Sequence, residues 1–235
     1  MSTDTEPSSW HDVLTRQIRR IPIGPAVILC AVVIGLLAIV GILQRVAYPD
    51  WVFANLDSEA GAGKWVGSGL LWAAAAVWFL VAANGLSRRP WVWIWWPLLV
   101  WLAADEGNGI HERVERWLGI DWQVLYAPLI ILGAAAWSRL LRAHRRARPV
   151  ALLFMIGAGA WATSLVLEAI QNWGGNPIDR TLYDPMMVTE EILEMIGSTV
   201  FFTAGLIVLK GVPADRSASE EAPGDPHHRI DKRGS

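Results

Sequence analysis

The sequence predicts an all-α integral membrane protein, a bundle of six transmembrane helices with both termini in the cytoplasm. The 235 residues are 53% hydrophobic and include 15 Trp, and the mean hydropathy is +0.33, which is too apolar for an ordinary soluble domain. Six segments approach the roughly 20 mostly apolar residues that a spanning helix needs. Lys and Arg are divided unequally between the two sides of such a bundle, and this asymmetry predicts its orientation.

The six predicted spans form one transmembrane domain, residues 21–211. In chain order they are Pro22 to Val46, Trp65 to Gly85, Trp91 to about Ile110, Trp122 to Leu141, Val150 to Ile170, and Pro185 to Leu209. The first has no small-residue cleavage site at its end, which favours an uncleaved span. Its Cys30 is the only cysteine, so an internal disulfide is excluded and a buried apolar thiol is predicted. At the sixth span, Asp184 is a predicted N-cap and Pro185 the first helical residue.

Eleven basic residues fall on one predicted side of the bundle and five on the other. The larger group is Arg16, Arg19, Arg20, Arg88, Arg89, Arg139, Arg142, Arg145, Arg146, Arg148 and Lys210; the smaller is Arg45, Lys64, Arg113, Arg116 and Arg180. The positive-inside rule then places the polar segment 1–20 and the tail 212–235 in the cytoplasm. The tail is rich in Pro, Gly and Ser and is predicted to be disordered. Nothing in the charge pattern indicates a nucleic-acid partner.

Acidic residues from three predicted spans fall at similar depths in the outer half of the membrane. At 1.5 Å per residue, Asp105 and Glu106 lie about 21 to 23 Å from the cytoplasmic end of their span. Glu168 lies about 27 Å and Glu194 about 22 Å from the same side, in a hydrocarbon core about 30 Å thick. Unpaired ionised carboxylates at this depth cost several kcal/mol. The layer therefore requires shared protons or a positive charge.

His111 follows this layer and is the only histidine predicted at membrane depth. Pro97 is expected to kink the third span, and the two glycines that flank Asn108 weaken the helix where the charges begin. If the helix breaks there, Asn108 caps a short amphipathic helix that ends near Leu118. If it continues, Asp105, Asn108 and Glu112 share one face.

A histidine among carboxylates suits a divalent metal such as Zn, Mn or Fe, and it also suits a proton relay. The predicted ligands are Asp105, Glu106, His111, Glu168 and Glu194, and the predicted general bases are Glu112 and Glu191.

Several of these features have non-catalytic interpretations. Arg113, Glu115 and Arg116 are typical of a solvated helix face. The acids of the layer could also form a structural network with Arg or backbone groups. Gly157 and Gly159, in the run GAGAWATS, indicate close helix packing. The stretch AGAGKW is not a phosphate-binding loop, because a Trp replaces the required Ser or Thr.

Two blocks of sequence carry a resemblance to a protein family. They are DEGNGIHERVE, which closes the third span, and TEEILEMIGS, which opens the sixth. Together with LDSE before the second span, they resemble a group of uncharacterised bacterial six-span membrane proteins with a D-E-x4-H-E block and an E-E-x2-E-M-x-G block. The resemblance covers about Leu56 to Leu209 and implies a multi-pass protein of the inner (plasma) membrane. The polar positions it implies are Asp57, Glu59, Asp105, Glu106, His111, Glu112, Glu168, Glu190, Glu191 and Glu194.

A looser likeness is to the alkaline-ceramidase-type membrane metal hydrolases, which bind zinc in a multi-span bundle. This chain differs from them in having six predicted spans and no H-x3-H pair.

Three functions are compatible with the predicted pocket. The first is a metal-dependent intramembrane hydrolase that acts on a lipid or lipid-linked substrate. The second is a proton-coupled or cation transporter whose carboxylates change protonation. The third is an accessory or scaffold subunit in which the acids only fix helix packing. The expected partners are membrane lipids and either a lipid-linked substrate or a cation.

Overall fold

The computed structural model describes residues 10–48, 52–56, 58, 61–86, 90–171 and 180–211, and all of the regular structure in these ranges is helical. The helices are α1 Trp10–Arg20, α2 Ile23–Ala47, α3 Ala62–Ala83, α4 Pro90–Asn108, α5 Ile110–Leu118, α6 Trp122–His144, α7 Arg148–Gln171 and α8 Arg180–Lys210, with a 3-10 turn at Val52–Ala54. The predicted disordered tail 212–235 and the family positions Asp57 and Glu59 lie outside the described residues.

Five of these helices, α2, α3, α6, α7 and α8, are long and apolar enough to cross a membrane. They correspond to five of the six predicted spans, and the prediction of an all-α protein with membrane helices is confirmed. The remaining predicted span corresponds to α4, which has 19 residues and carries Asp105 and Glu106 near its end. α4 is continuous through Pro97.

Helix α1 was not predicted, because the first twenty residues contain no apolar run long enough to indicate a helix. Its residues nevertheless pack against the bundle. Trp10 stacks on Phe79 of α3, with the ring centroids 6.2 Å apart. The buried hydroxyl of Thr15 accepts a hydrogen bond from the Asn84 side chain at 2.9 Å. Part of the predicted polar N-terminal segment is therefore an amphipathic helix on the bundle.

The predicted start of the sixth span is wrong. α8 begins at Arg180, so Pro185 lies inside the helix and Asp184 does not cap it. The Asp184 carboxylate instead pairs with the Arg45 guanidinium at 3.0 Å. This ion pair joins the C-terminal end of α2 to the first turns of α8.

Helix α8 packs closely against both α7 and α3. Lipid tails are as apolar as Leu, so helices in a membrane associate through close packing and polar contacts rather than through the hydrophobic effect. Gly157 on α7 permits such packing, because a Cβ there would lie 2.7 Å from the Phe201 ring. The Trp78 indole donates to the Phe201 carbonyl at 3.0 Å. The half of the bundle away from the carboxylates is thus a dense core that contains Trp78 and Phe154, both fully buried.

Candidate functional site

The helix break at the end of α4 creates the first part of the site. Gly109 has a φ of +54°, in the left-handed region that favours glycine, and it separates α4 from α5. The sequence left open whether the helix continues or breaks near Asn108, and in the structure it breaks. Asn108 does not cap α5; its side chain donates back to the Ala104 carbonyl at 2.7 Å. The turn folds His111 back over the last residues of α4.

Three side chains form what we call the histidine cluster: Asp105, His111 and Tyr126. His111 Nδ1 lies 2.9 Å from one Asp105 carboxylate oxygen. The other oxygen accepts the His111 backbone N–H at 2.8 Å and the Tyr126 hydroxyl at 2.9 Å. Asp105 is only 7% exposed. The carboxylate thus fixes the orientation of the imidazole, and Nε2 is left for a different partner.

Four side chains form what we call the lysine cluster: Lys64, Glu106, Glu191 and Glu194. Lys64 Nζ lies 3.0 Å from a Glu191 oxygen and 3.3 Å from a Glu106 oxygen. One oxygen from each of the three glutamates lies within 4.8 Å of the others. Glu194 also accepts a hydrogen bond from the buried Ser164 hydroxyl at 2.7 Å. The positive charge that the carboxylate layer requires comes, in this arrangement, from Lys64.

Close contact between α3 and α4 brings Lys64 to these carboxylates. A Cβ on Gly107 would lie 2.8 Å from the Ser68 hydroxyl, and a Cβ on Gly67 would lie 3.4 Å from Glu106. The Ser68 hydroxyl donates to the Ala103 carbonyl at 2.8 Å, which satisfies both groups inside the bundle. Since Lys64, Gly67 and Ser68 share one helix face by their i, i+3, i+4 spacing, Lys64 points to the same neighbour.

The remaining predicted site residues line a polar cavity of about 380 Å³ next to both clusters. Glu112, Glu168 and Glu190 are part of its wall. The Trp122 indole hydrogen-bonds to Glu168, and the Gln171 amide donates to Glu190. Glu115, which we expected on a solvated face, also lines this cavity, whereas Arg113 and Arg116 are exposed.

A second cavity, of about 280 Å³, lies between α4, α6 and α7 and is walled largely by Trp, Leu, Ile and Ala. Three residues line both cavities: His111, Trp122 and Glu168. The apolar cavity also reaches Asp105, Glu106 and Glu194. The site therefore has a polar side and an apolar side that meet at the imidazole.

The surroundings of His111 favour its protonated form. Burial lowers the pKa of this imidazole, but the hydrogen bond and the charge of Asp105, with a further contribution from Glu168, raise it above the ordinary value of 6.5 in spite of Lys64. His111 is therefore an ionisable group with a raised pKa that faces both cavities.

The structure divides the predicted ligands between two clusters. Asp105 and His111 belong to one, while Glu106 and Glu194 belong to the other, which also contains Glu191. Glu168 lies on the wall that the two cavities share.

Sequence reasoning missed Lys64, Tyr126 and Ser164. A signal for Lys64 was present, because Gly67 and Ser68 are small residues on its own helix face and indicate close packing there. Tyr126 and Ser164 gave no comparable signal, since isolated hydroxyls are common in apolar spans.

One sequence family matches the chain. Its profile, described as a domain of unknown function (DUF8692), covers residues 25–209 and therefore includes α4, α5 and every residue of the two clusters. Neither the curated proteins nor the solved structures give a significant match.

Proposed function

We propose that this chain, which belongs to the DUF8692 family, is a membrane-embedded hydrolase that acts on a lipid or lipid-linked substrate. One observation carries the proposal: the polar and the apolar cavity share His111, Trp122 and Glu168. An amphiphile with its tail in the apolar cavity and its head in the polar cavity would place the bond between them beside the imidazole. Ligand sites of this kind combine a mostly apolar wall with a few directed polar groups.

The histidine cluster supports a role for His111 as general base. A base must be oriented towards its proton donor, and Asp105 fixes the ring through Nδ1 and the backbone N–H. In the neutral imidazole, with Nδ1–H donating to Asp105, Nε2 would take a proton from a water molecule as its oxygen attacks the substrate, and Glu168 in its acid form would supply a proton to the leaving group. We favour His111 over the predicted bases Glu112 and Glu191, because Glu191 is already in an ion pair with Lys64.

The proposal includes one divalent cation, at the carboxylates of the lysine cluster. The oxygens of Glu106, Glu191 and Glu194 are close enough to share one ion. The other predicted ligands, His111 and Glu168, line the adjoining cavities. A carboxylate-rich set favours Mn or Fe over Zn. Because Lys64 Nζ already contacts two of these glutamates, an ion at this position would have to displace the ammonium.

The hydrolase proposal is tested with purified protein and a panel of lipid esters, amides and phosphodiesters, with product detected by mass spectrometry. We expect His111→Gln to reduce turnover by on the order of 10²- to 10⁴-fold, the usual contribution of a general base. Arg116→Gln is the matched control, since Arg116 is exposed on the same helix, away from both cavities. Equal turnover by the parent protein and His111→Gln would contradict the proposal.

The metal is tested separately by elemental analysis of the same preparations. We expect Glu194→Gln to lose a stoichiometric ion that the parent and Glu115→Gln retain, because Glu115 belongs to neither cluster. A parent protein that turns over substrate in the presence of a chelator would remove the metal from the mechanism and leave the role of His111 intact.

A cation or proton-coupled transporter is the second candidate. The ion pairs of Lys64 with glutamates of two other helices favour it, because such groups can exchange protons or cations during transport. The core beneath the lysine cluster is densely packed with aromatic side chains and would obstruct a path across the bundle. This feature favours the enzyme over the transporter. Flux of protons or of Na⁺ into vesicles that contain the parent protein, abolished by Glu194→Gln, would support transport. If there is neither flux nor turnover, and Glu194→Gln has the parent's metal content and stability, the carboxylates are scaffolding.

We further propose six crossings of the inner (plasma) membrane with both termini in the cytoplasm. The Arg19 guanidinium donates to the Leu209 carbonyl at 2.8 Å, and the Lys210 ammonium donates to the Ile21 carbonyl. These bonds support an even number of crossings, because they join the start of the first span to the end of the last. Reporter fusions after Leu86 and Lys210 should report the cytoplasm, and a fusion after Leu118 should report the exterior; the reverse pattern would overturn this topology.

A further inference from the structure

A separate cavity of about 360 Å³ lies at the end of the bundle opposite the carboxylates. It is lined by Pro90 and Trp91 at the start of α4 and by Arg139 and Arg142 near the end of α6. None of these residues belongs to the candidate active site. Under the topology proposed above, the cavity lies at the cytoplasmic boundary of the membrane.

The two guanidinium groups are held in place by different contacts. Arg139 Cζ lies 5.4 Å from the centroid of the Trp91 ring, over its face. Stacking of this kind leaves the N–H groups at the edge of the guanidinium plane available to a ligand. Arg142 donates through Nε to the Ser138 carbonyl at 3.1 Å and through Nη2 to the Ser138 hydroxyl at 3.2 Å. Both side chains are thereby directed to one cavity rather than spread over the surface.

This cavity lies in a region of uncompensated positive charge. The chain has no Asp or Glu between Asp121 and Glu168, yet Arg139, Arg142, Arg145, Arg146 and Arg148 fall within this interval. Among the described residues, no carboxylate forms a salt bridge with Arg139 or Arg142. Both guanidinium groups are exposed, so they are accessible to an anion from outside the chain.

We propose that the cavity between Trp91, Arg139 and Arg142 binds a phosphate group, as carried by the head of an anionic membrane lipid or by a free phosphate ion. Guanidinium groups match phosphate oxygens with two parallel hydrogen bonds, which a single Lys cannot form. Trp91 lies where an indole at the membrane boundary contacts the lipid backbone region. Basic pockets between spans on the cytoplasmic side are suited to such heads.

Binding is measured on the full chain in a neutral detergent, by native mass spectrometry and by thermal shift. The three probes are short-chain phosphatidylglycerol, the matched phosphatidylcholine and inorganic phosphate. We expect phosphatidylglycerol to bind and to raise the unfolding midpoint, and we expect Arg139→Gln and Arg142→Gln each to weaken binding about fivefold or more. The matched control, Arg145→Gln, has the same charge change outside the cavity lining and should bind like the parent protein.

The outcomes separate the two sources and can overturn the site. Binding of phosphatidylglycerol without competition from inorganic phosphate assigns the cavity to a lipid head, whereas full competition at millimolar phosphate assigns it to the free ion. Equal loss in Arg145→Gln would show a diffuse charge effect, and equal binding of phosphatidylcholine would show that binding does not depend on the negative charge of the head group. Either result would overturn the proposal. If an Arg variant fails to fold, Trp91→Leu replaces it, because this substitution removes the stacking contact with Arg139 but no charge. We expect Trp91→Leu to weaken binding as well, and parent-like binding by this variant would overturn the proposal.

Discussion

The histidine cluster and the lysine cluster begin at consecutive residues, Asp105 and Glu106, but their carboxylates are stabilised differently. Asp105 accepts hydrogen bonds from three donors and serves as the only carboxylate of its cluster. Glu106 instead shares the Lys64 ammonium with Glu191, close to Glu194. The first arrangement positions one group, His111, whereas the second balances several charges. Proximity of acidic residues in a sequence therefore does not indicate that they perform one task.

The largest effect is expected from removing the charge balance of the lysine cluster. Lys64→Met leaves three buried carboxylates without their ammonium, and loss of one partner of a buried ion pair typically costs about 3 to 5 kcal/mol. The free energy of unfolding in detergent measures the loss. Lys210→Met is the control, because the Lys210 ammonium bonds only a backbone carbonyl among the described residues. If both variants unfold alike, the ion pairs of Lys64 do not stabilise the bundle.

The next effect concerns the histidine cluster and its dependence on pH. The pKa of His111 in the folded protein is raised above 6.5, so its contribution to stability is fully present below the unfolded-state pKa and is lost as the pH rises through the folded pKa. In the metal-free Asp105→Asn variant, burial and Lys64 oppose the protonation of His111, and of the groups named above only Glu168 still favours it. We expect the pKa of His111 to fall and the loss of stability above about pH 6.5 to disappear.

NMR titration of the His111 ring and unfolding measured at several pH values check this prediction. Asp121→Asn is a matched substitution, because Asp121 caps α6 through the Gln123 backbone N–H and does not bond His111. An unchanged pKa of His111 in Asp105→Asn would show that the two side chains do not interact as described.

Glu194→Gln should give an intermediate effect on stability. Gln keeps the volume and can still accept the hydrogen bond from Ser164, but it removes one of the three ionisable carboxyl groups near Lys64. In the metal-free protein we expect a change in the free energy of unfolding of about 1 kcal/mol or less, because relief of carboxylate repulsion opposes the loss of attraction to the ammonium. A loss as large as that of Lys64→Met would mean that Glu194 is ionised and paired with an additional cation.

Removing one hydroxyl from each cluster compares the charge states of Asp105 and Glu194. Tyr126→Phe removes a donor to Asp105, and Ser164→Ala removes a donor to Glu194. A hydrogen bond to a charged group contributes about 1.5 to 3 kcal/mol, and one to a neutral group about 1 kcal/mol. If Asp105 is ionised and Glu194 is protonated, Tyr126→Phe will be the more destabilising of the two. If Ser164→Ala is instead the more destabilising in matched unfolding experiments, Asp105 is protonated and Glu194 is ionised.

The sequence was sufficient to predict an all-helical protein and the five helices that are long and apolar enough to cross a membrane, because hydropathy is a local property. It was insufficient for Lys64, since positive-inside counting treats a basic residue before an apolar run as a loop charge. The structure begins α3 at Ala62, and one extra turn places Lys64 on the inner face of a helix. The start of α8 was mispredicted for a similar reason: Pro185 is typical of a first helical turn, and the Arg45 contact to Asp184 is not local.

The division of the predicted ligands into two clusters could not be derived from depth alone. Depth gives a position along the membrane normal but not an angle around the bundle axis. Asp105 and Glu106 have nearly the same height and point about 100° apart around α4, so one contacts α6 and the other contacts α3 and α8.

Because consecutive residues of α4 belong to both clusters, the clusters are mechanically coupled. Pro97 cannot donate the backbone hydrogen bond that would link it to the preceding turn, so α4 has a point of lower stiffness between its two ends. Asp105 and Glu106 are consecutive residues of one helix, so a movement of the end of α4 would carry both side chains together. We therefore expect a ligand that shifts Asp105 to change the 3.3 Å spacing between Lys64 and Glu106 as well.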